Sequence, residues 1–271
     1  MPSNKERIHI MINQDEKNMI VSQIEKLMSS KPFVFLKFCS QEKYAKDVLN
    51  GDLFSNTAEW FRNKEIETGE RGQGDKYELI LPFASEKVSL FDYETGNHVM
   101  DFIKPDVTLR LNDDDCLPIV CFVGIPLRDM NLLEYDKSHA VFSLPFSPEE
   151  YQTMEERFGK YCVLINAREL EEKIVRYCNN NNCDFIFDKI DYCEKNSLER
   201  MKAFVSLSPT RVLFKNSDLA YQREYRLVLP DGVLEDNYVR LGRLDNAKCL
   251  DVSQIKNLII RIDYTTKSTV S

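Results

Sequence analysis

The sequence lacks the residue patterns that identify most zinc proteins and histidine-dependent hydrolases. Its 271 residues contain three histidines, and none of its eight cysteines forms a C-x-x-C pair. Zinc sites need closely spaced ligands, and catalytic triads need a histidine beside a nucleophile. The glycine patterns of phosphate loops and dinucleotide-binding turns are missing as well. These absences predict a chain that folds without a metal and performs no triad hydrolysis.

Long apolar runs and an excess of basic charge are also missing. No run reaches the ~18 apolar residues that would span a bilayer, and the opening residues MPSNKERIHI do not resemble a secretory leader. With 44 acidic and 36 basic residues, the net charge of -8 would repel a phosphate backbone, which disfavours non-specific nucleic-acid binding. We therefore expect a cytoplasmic protein with reduced thiols and no membrane partner.

The residues that are present predict one α+β domain over residues 1–271, with at most a weak subdivision near 144–147. Hydrophobic residues make up 43% of the chain, which is enough to bury a core. Short alternating runs in the middle and last thirds predict strands. Helix-start signals at Ser147 and Asn166 predict flanking helices. The expected fold is a mixed, largely antiparallel sheet core with a few helices around it.

Two polar segments are not explained by folding alone. Lys37 places a positive charge inside the apolar run FVFLKF, where it either extends to solvent from a strand end or contacts a phosphate or carboxylate. The segment from Trp60 to Gln73 is highly charged and leads into Gly74-Asp75, which predicts a flexible surface loop. Arginines in such a loop suit phosphate recognition, although solvated charges are the simpler interpretation.

A further polar feature is Lys215 with the segment 221–226, which enters the predicted strand REYRLVL. Side chains alternate along a strand, so Glu224 and Arg226 share one face while Tyr225 and Leu227 share the other. The pair is either a simple exposed salt bridge or a fixed carboxylate beside a cation. A carboxylate of the second kind can orient a hydroxyl or stabilise positive charge during cleavage of a glycosidic bond at a ribose.

In these segments the chain resembles a group of bacterial and phage-associated proteins that includes the abortive-infection AbiGi-type proteins. The resemblance extends from about residue 33 to 263, and the order of its elements is more specific than any single one. The elements are the strand ending in Lys37-Phe38, the helix from Tyr44 to Asn50-Gly51, Leu53-Phe54, Phe61-Arg62, Arg71-Gly72 with Asp75, and Tyr221-Gln222-x-Glu224-Tyr225-Arg226.

The same order is similar to that of ADP-ribosyltransferases. In those enzymes an early strand carries a basic residue or histidine, a glycine follows a short helix, and a late strand carries a glutamate. Lys37, Gly51 and Glu224 occupy these places. The resemblance implies an ADP-ribosyltransferase-like fold, and a phage-defence or toxin-like enzyme that binds NAD and either transfers ADP-ribose to a macromolecule or cleaves NAD.

The resemblance also implies a set of site residues and a geometry. Glu224 is the implied catalytic residue, and NAD is bound without a metal. Lys37 and Glu224 are expected on neighbouring strands of one sheet, lining a common cleft. The implied NAD contacts are Lys37, Arg62 and Arg71 at the diphosphate, Tyr44 or Tyr225 stacked on a ring, and Asp75 and Arg226 in the same site.

Two functions from other classes are open at this stage. A non-catalytic antitoxin or partner-binding protein suits the acidic charge, because an acidic surface could cover a basic toxin. A metal-dependent nuclease would use the adjacent carboxylates of Asp113, Asp114 and Asp115 to bind magnesium. Adjacent carboxylates point in alternating directions, however, and more often form a solvated turn.

The composition generates a stability prediction. We expect the melting temperature to be independent of reductant and of chelator, because the chain has a sufficient core and no metal-ligand spacing. Thermal scans with and without dithiothreitol or EDTA measure this. A fall of many degrees with either reagent would show that the cysteines carry a disulfide or a metal.

Overall fold

The helices are short and lie between or beside strands. The computed structural model describes residues 13–26, 32–104, 106–230, 234 and 236–264. No helix in these ranges has the length and apolar character needed to cross a bilayer. The α-helices in these ranges are α1 (Gln14–Glu25), α2 (Glu42–Leu49), α3 (Ala58–Thr68), α4 (Pro148–Phe158), α5 (Ala167–Asn181), α6 (Leu198–Val205) and α7 (Val252–Ile255).

Strands account for most of the remaining regular structure, and all pair antiparallel within the described ranges except β13 with β14. The α+β class and the largely antiparallel sheet predicted from sequence are therefore confirmed. The strands are β1 (Val34–Cys39), β2 (Asp52–Phe54), β3 (Asn56–Thr57), β4 (Ile80–Ala84), β5 (Lys87–Phe91), β6 (His98–Ile103), β7 (Asp106–Arg110), β8 (Pro118–Ile125), β9 (Asn131–Tyr135), β10 (His139–Ser143), β11 (Tyr161–Asn166), β12 (Ile186–Lys189), β13 (Asp191–Cys193), β14 (Phe214–Asn216), β15 (Glu224–Val228), β16 (Tyr238–Arg240), β17 (Ala247–Asp251) and β18 (Ile259–Asp263).

The largest sheet is buried on both faces. Its strands follow the order β12-β15-β8-β1-β11-β17, and β3 also pairs with β8. Val34 and Leu36 of β1 pack in one apolar cluster with residues of α1, α4 and α7, whereas Phe35 packs in a second cluster with residues of α2 and α5. This division follows from the alternation of side chains along a strand.

The pairing between β1 and β8 stops partway along both strands. On one side, all six residues of β1 pair with β11. On the other side, Val34 to Leu36 pair with Ile125 to Val123 of β8, and the pairing with β8 ends before Lys37. β3 pairs with the far end of β8, at Pro118 and Ile119. Among the described strands, none covers residues 120–122 of β8 on this edge. The central sheet is therefore split between β1 and β3.

The prediction of a loop from Trp60 to Gln73 is wrong for the first half of that segment. Residues up to Thr68 belong to α3, whose N-terminus is capped by Thr57 accepting a hydrogen bond from the Trp60 amide. Gly69 ends the helix with φ of 69°. The helix was missed because Arg62 and Glu65 form part of its buried face, so its apolar periodicity is weak.

The glycine-containing segment after α3 is packed, not a flexible surface loop. The Asp75 amide donates to the Phe61 carbonyl at 3.0 Å, and the Lys76 amide donates to Glu65 Oε2 at 2.8 Å. A Cβ atom on Gly74 would lie 2.4 Å from the Glu65 backbone nitrogen. Only a residue without a side chain fits at that distance.

A glycine substitution tests this packing. Gly74→Ala is expected to lower the free energy of unfolding by about 1–3 kcal/mol, because overpacking forces the backbone apart. In a flexible loop the same change would stabilise the protein by about 0.4–1 kcal/mol through the unfolded chain. Urea denaturation measures the difference, with Gln73→Ala at the adjacent exposed position as the control. A stabilised Gly74→Ala protein would contradict the packing.

Candidate functional site

The split in the central sheet opens into a cavity of about 770 Å³. Small-molecule sites usually fall between roughly 300 and 1,000 Å³. The cavity floor is formed by β1, β8 and β15, and its walls by residues of α2, α3, α4, β2 and β16. Gly72 and Gln73 contribute a further wall from the packed segment after α3. Elements from the whole length of the chain therefore meet at one site.

Lys37 crosses the split from β1. Its Nζ donates to the Cys121 carbonyl oxygen of β8 at 2.7 Å and lies 5.4 Å from the centre of the Phe122 ring. The side chain is half-buried, and no described carboxylate forms an ion pair with it. Lys37 therefore presents an unpaired positive charge to the cavity.

Aromatic side chains surround the opening. Tyr44 on α2, Phe54 on β2 and Trp60 on α3 line the cavity and are all exposed. The rings of Phe54 and Tyr238 meet edge to face, with 5.2 Å between their centres. Exposed aromatic rings at a cavity provide stacking surfaces for a planar ligand.

Two carboxylates and two cations form a buried network at the floor, which we call the ion-pair tetrad: Glu78, Lys215, Glu224 and Arg226. Lys215 Nζ lies 2.5 Å from Glu224 Oε2, and Arg226 Nε donates to Glu224 Oε1 at 2.9 Å. Both terminal nitrogens of Arg226 donate to Glu78, at 2.7 and 3.1 Å. Lys215 and Glu224 line the cavity, whereas Arg226, with no exposed surface, is not among its lining residues.

Polar neighbours fix the tetrad to the surrounding backbone. The Gln222 Oε1 atom lies 3.3 Å from Lys215 Nζ, and its Nε2 donates to the Gly72 carbonyl at 2.8 Å. The Glu224 amide donates to the hydroxyl oxygen of Tyr192 at 2.9 Å. The floor is therefore tied both to β13 and to the segment after α3.

The charges of the tetrad determine its protonation. Burial alone would raise the pKa of Glu224, but Lys215 and Arg226 outweigh burial and lower that pKa from 4.5 to about 2. Burial would lower the pKa of Lys215, but Glu224 and Glu78 outweigh it and raise that pKa. Burial and the charge of Glu224 raise the pKa of the Cys121 thiol to about 12. The site thus holds an ionised Glu224 and a protonated Cys121, which cannot act as a thiolate nucleophile at neutral pH.

Three of the residues predicted from sequence line the cavity together: Lys37, Tyr44 and Glu224. The expected common cleft for Lys37 and Glu224 therefore agrees with the structure. Their expected position on neighbouring strands does not, because β8 lies between β1 and β15. Gly51 follows α2 with φ of 78°, a conformation that favours glycine, and it packs against the Gly242 backbone. The turn after α2 therefore accounts for the glycine at this position.

The arginines and aspartate of the predicted phosphate loop do not line the cavity. Arg62 is buried, where it donates to the Glu78 carbonyl at 2.8 Å and pairs with Asp115. Asp75 is also buried, and its carboxylate accepts from the Tyr77 amide. Arg71 pairs with Asp218 outside the cavity. These three side chains have partners within the fold, and the structure does not bring them into the cavity with Lys37 and Glu224.

The other two predicted contacts lie on β15 but not in the cavity. Tyr225 faces the opposite side of the sheet from Glu224, and its ring packs 5.3 Å from that of Phe35. Arg226 shares the face of Glu224, as the sequence predicts, but is enclosed by the tetrad. The Glu224–Arg226 pair is therefore buried rather than exposed, and neither Tyr225 nor Arg226 lines the cavity.

The adjacent carboxylates considered for magnesium belong to a 3-10 helix, Asn112–Cys116, and two of them are paired with arginines. Asp114 accepts two bonds from Arg211, at 2.9 and 2.6 Å. Asp115 pairs with Arg62 and Arg110. In the ranges that the structure describes, no group of three or more acidic, histidine or cysteine side chains is arranged to hold a metal ion.

Several site residues had no role assigned from the sequence. Lys215 stood out beside the segment 221–226, but no contact was assigned to it. Gln222 stood within the sequence motif but was given no role. Glu78 gave no signal, because a glutamate in a short predicted strand is usually solvent-exposed. Its partner Arg226 is 148 positions away.

Comparisons of the chain with protein-family models, with curated proteins and with solved structures found no significant match.

The buried tetrad generates a prediction on stability and pH. Glu224→Gln is expected to lower the free energy of unfolding at pH 7 by about 3–5 kcal/mol, because it leaves Lys215 without its closest partner. The folded pKa of Glu224 is depressed, so its contribution is present above about pH 5 and declines as the pH falls toward 2. The destabilisation should therefore be smaller at pH 3 by on the order of 2 kcal/mol.

Urea denaturation of the two proteins at pH 7 and pH 3 measures this difference. Glu172→Gln, which removes an exposed helical ion pair with Arg168, is the control and should have a small effect at both values. An equal loss at both pH values for Glu224→Gln would mean that Glu224 is not held ionised by the tetrad.

Proposed function

We propose that the cavity binds NAD and that the chain breaks the bond between nicotinamide and ribose, passing ADP-ribose to water or to an acceptor on a macromolecule. The observation that carries this proposal is that Lys37, Tyr44 and Glu224, from three separate elements, line one cavity. The cavity volume of about 770 Å³ is sufficient for a ligand of nucleotide size.

The cations and aromatic rings of the cavity suit the two ends of such a ligand. Lys37 is half-buried and unpaired with any described carboxylate, and Lys43 lines the same wall from the first turn of α2. These lysines replace the loop arginines as the groups that would contact the diphosphate. Tyr44, Phe54 and Trp60 offer stacking surfaces to the adenine or nicotinamide ring.

Glu224 would act on the ribose. In the proposed reaction the C1′–N bond breaks, its electron pair leaves with nicotinamide, and a nucleophile that loses a proton bonds to C1′. An ionised carboxylate can accept a hydrogen bond from a ribose hydroxyl and stabilise the charge developing on the ring. The two carboxylates of the tetrad balance its two cations, so the tetrad itself would present no net positive charge to this developing charge.

The direct test uses NAD labelled separately in the nicotinamide and in the adenosine. Release of labelled nicotinamide by the purified chain supports the proposal, and label retained on a macromolecule identifies transfer rather than hydrolysis. Absence of nicotinamide release would contradict the proposal. It would leave the acidic partner-binding protein as the interpretation to pursue.

A lysine substitution tests the placement of the diphosphate. Lys37→Met is expected to weaken NAD binding by about 10–100-fold, which corresponds to the loss of one hydrogen bond to a charged group. Isothermal titration calorimetry measures the dissociation constant. Lys46→Met, which removes an exposed α2 lysine paired with Glu42, is the matched control and should bind NAD as the wild type does. Equal affinity of all three proteins would exclude Lys37 as a contact.

A further inference from the structure

We infer that Glu78 is a positioning residue that holds Glu224 through Arg226, an inference that rests on the proposed function. Glu78 is buried with 1% of its surface exposed and is not among the residues that line the cavity. It therefore has no route to a ligand of its own. Its two carboxylate oxygens are directed at the tetrad cations.

The contacts define one chain of positioning. Glu78 Oε1 and Oε2 accept from the two terminal nitrogens of Arg226, which fixes the guanidinium plane. The remaining nitrogen, Nε, then donates to Glu224 Oε1 at 2.9 Å. This leaves Glu224 Oε2 beside Lys215, which lines the cavity together with Glu224.

Glu78 is itself held firmly by its backbone. Its amide donates to the Asp75 carbonyl at 2.9 Å, and its carbonyl accepts from Arg62 Nη1 at 2.8 Å. The residue after it, Leu79, has φ of 49°, and the residue before Glu224, Arg223, has φ of 47°. Non-glycine residues in this left-handed region are strained, and such strain persists where the surrounding structure fixes it. Each carboxylate residue of the tetrad is thus next to a residue whose strained backbone is fixed by its surroundings.

Charge makes Glu78 more than a packing residue. Arg226 is fully buried and forms ion pairs with Glu78 and Glu224. If Glu78 were neutral, Glu224 would be the one carboxylate among the described residues that still pairs with the guanidinium. We expect Arg226 then to draw both Glu224 oxygens toward itself and away from Lys215 and the cavity.

The test measures NAD turnover by the full chain carrying Glu78→Gln. We expect kcat to fall about 10²-fold with KM almost unchanged, because the reacting group is displaced while the diphosphate contacts stay in place. Glu78→Asp keeps the charge but shortens the side chain, and should restore folding with an intermediate kcat if the glutamine variant folds poorly.

Asp114→Asn is the matched control for structural damage. Asp114 is equally buried, with 1% exposure, and also binds one arginine, Arg211, through both oxygens. It should lower the melting temperature while keeping the wild-type kcat. A loss of kcat in Asp114→Asn equal to that in Glu78→Gln, or a Glu78→Gln protein with full kcat, would overturn the positioning role.

Failure of the proposed function is distinguishable from failure of this inference. A wild-type chain that does not turn over NAD contradicts the proposed function alone. A crystal structure of the Glu78→Gln protein then decides the positioning role. Separation of Glu224 Oε2 from Lys215 Nζ supports it, and an unmoved Glu224 carboxylate overturns it.

Discussion

The burial of the Arg226 guanidinium is the constraint on which the central part of the structure depends. A buried cation that cannot lose its proton must be surrounded by acceptors, because leaving it unpaired costs several kcal/mol. Glu78, Glu224 and the Val212 carbonyl supply those acceptors at 2.7–3.1 Å. Glu78 lies 148 positions from Arg226 and Val212 lies 14 positions away. Pairing of this one side chain therefore joins β15 to the segment before β4 and to the 3-10 helix Pro209–Leu213.

The cavity has a different physical origin, the divergence of β1 from β8. When two strands separate, the carbonyl groups along the split lose their partners, and each needs another donor. Lys37 provides one by donating to the Cys121 carbonyl across the split. The same divergence exposes β8 and β15 to a shared space, which places Lys215 and Glu224 at its floor. An opening in a sheet thus gives charged side chains access to a ligand without removing them from the core.

A second group of buried charges stabilises the packed segment after α3. Arg62 binds the Glu78 carbonyl and Asp115, while Asp114 binds Arg211. The contacts of Arg62 explain how a charged stretch becomes an ordered helix: its buried cation is satisfied by partners outside the segment. These ion pairs also explain why three adjacent aspartates do not form a metal site, since arginines already occupy two of them.

Local chemistry determined the α+β class, the alternation along β1 and β15, and the helix starts at Ser147 and Asn166, where each hydroxyl or amide oxygen accepts a bond from its own first turn. It also singled out Lys37 and Glu224, because a charge in an apolar strand is visible in the sequence, whereas Tyr44 was implied only by the resemblance. Only the tertiary structure decided which charges face a cavity and which are enclosed. Arg62, Asp75 and Arg226 look like ligand contacts in sequence. Arg226 is enclosed because it pairs with Glu78, which lies 148 positions away. Arg62 is enclosed because it lies on the buried face of α3. Strand order likewise placed β8 between Lys37 and Glu224, because sheet pairing is set by the assembly of the whole core and not by any one strand.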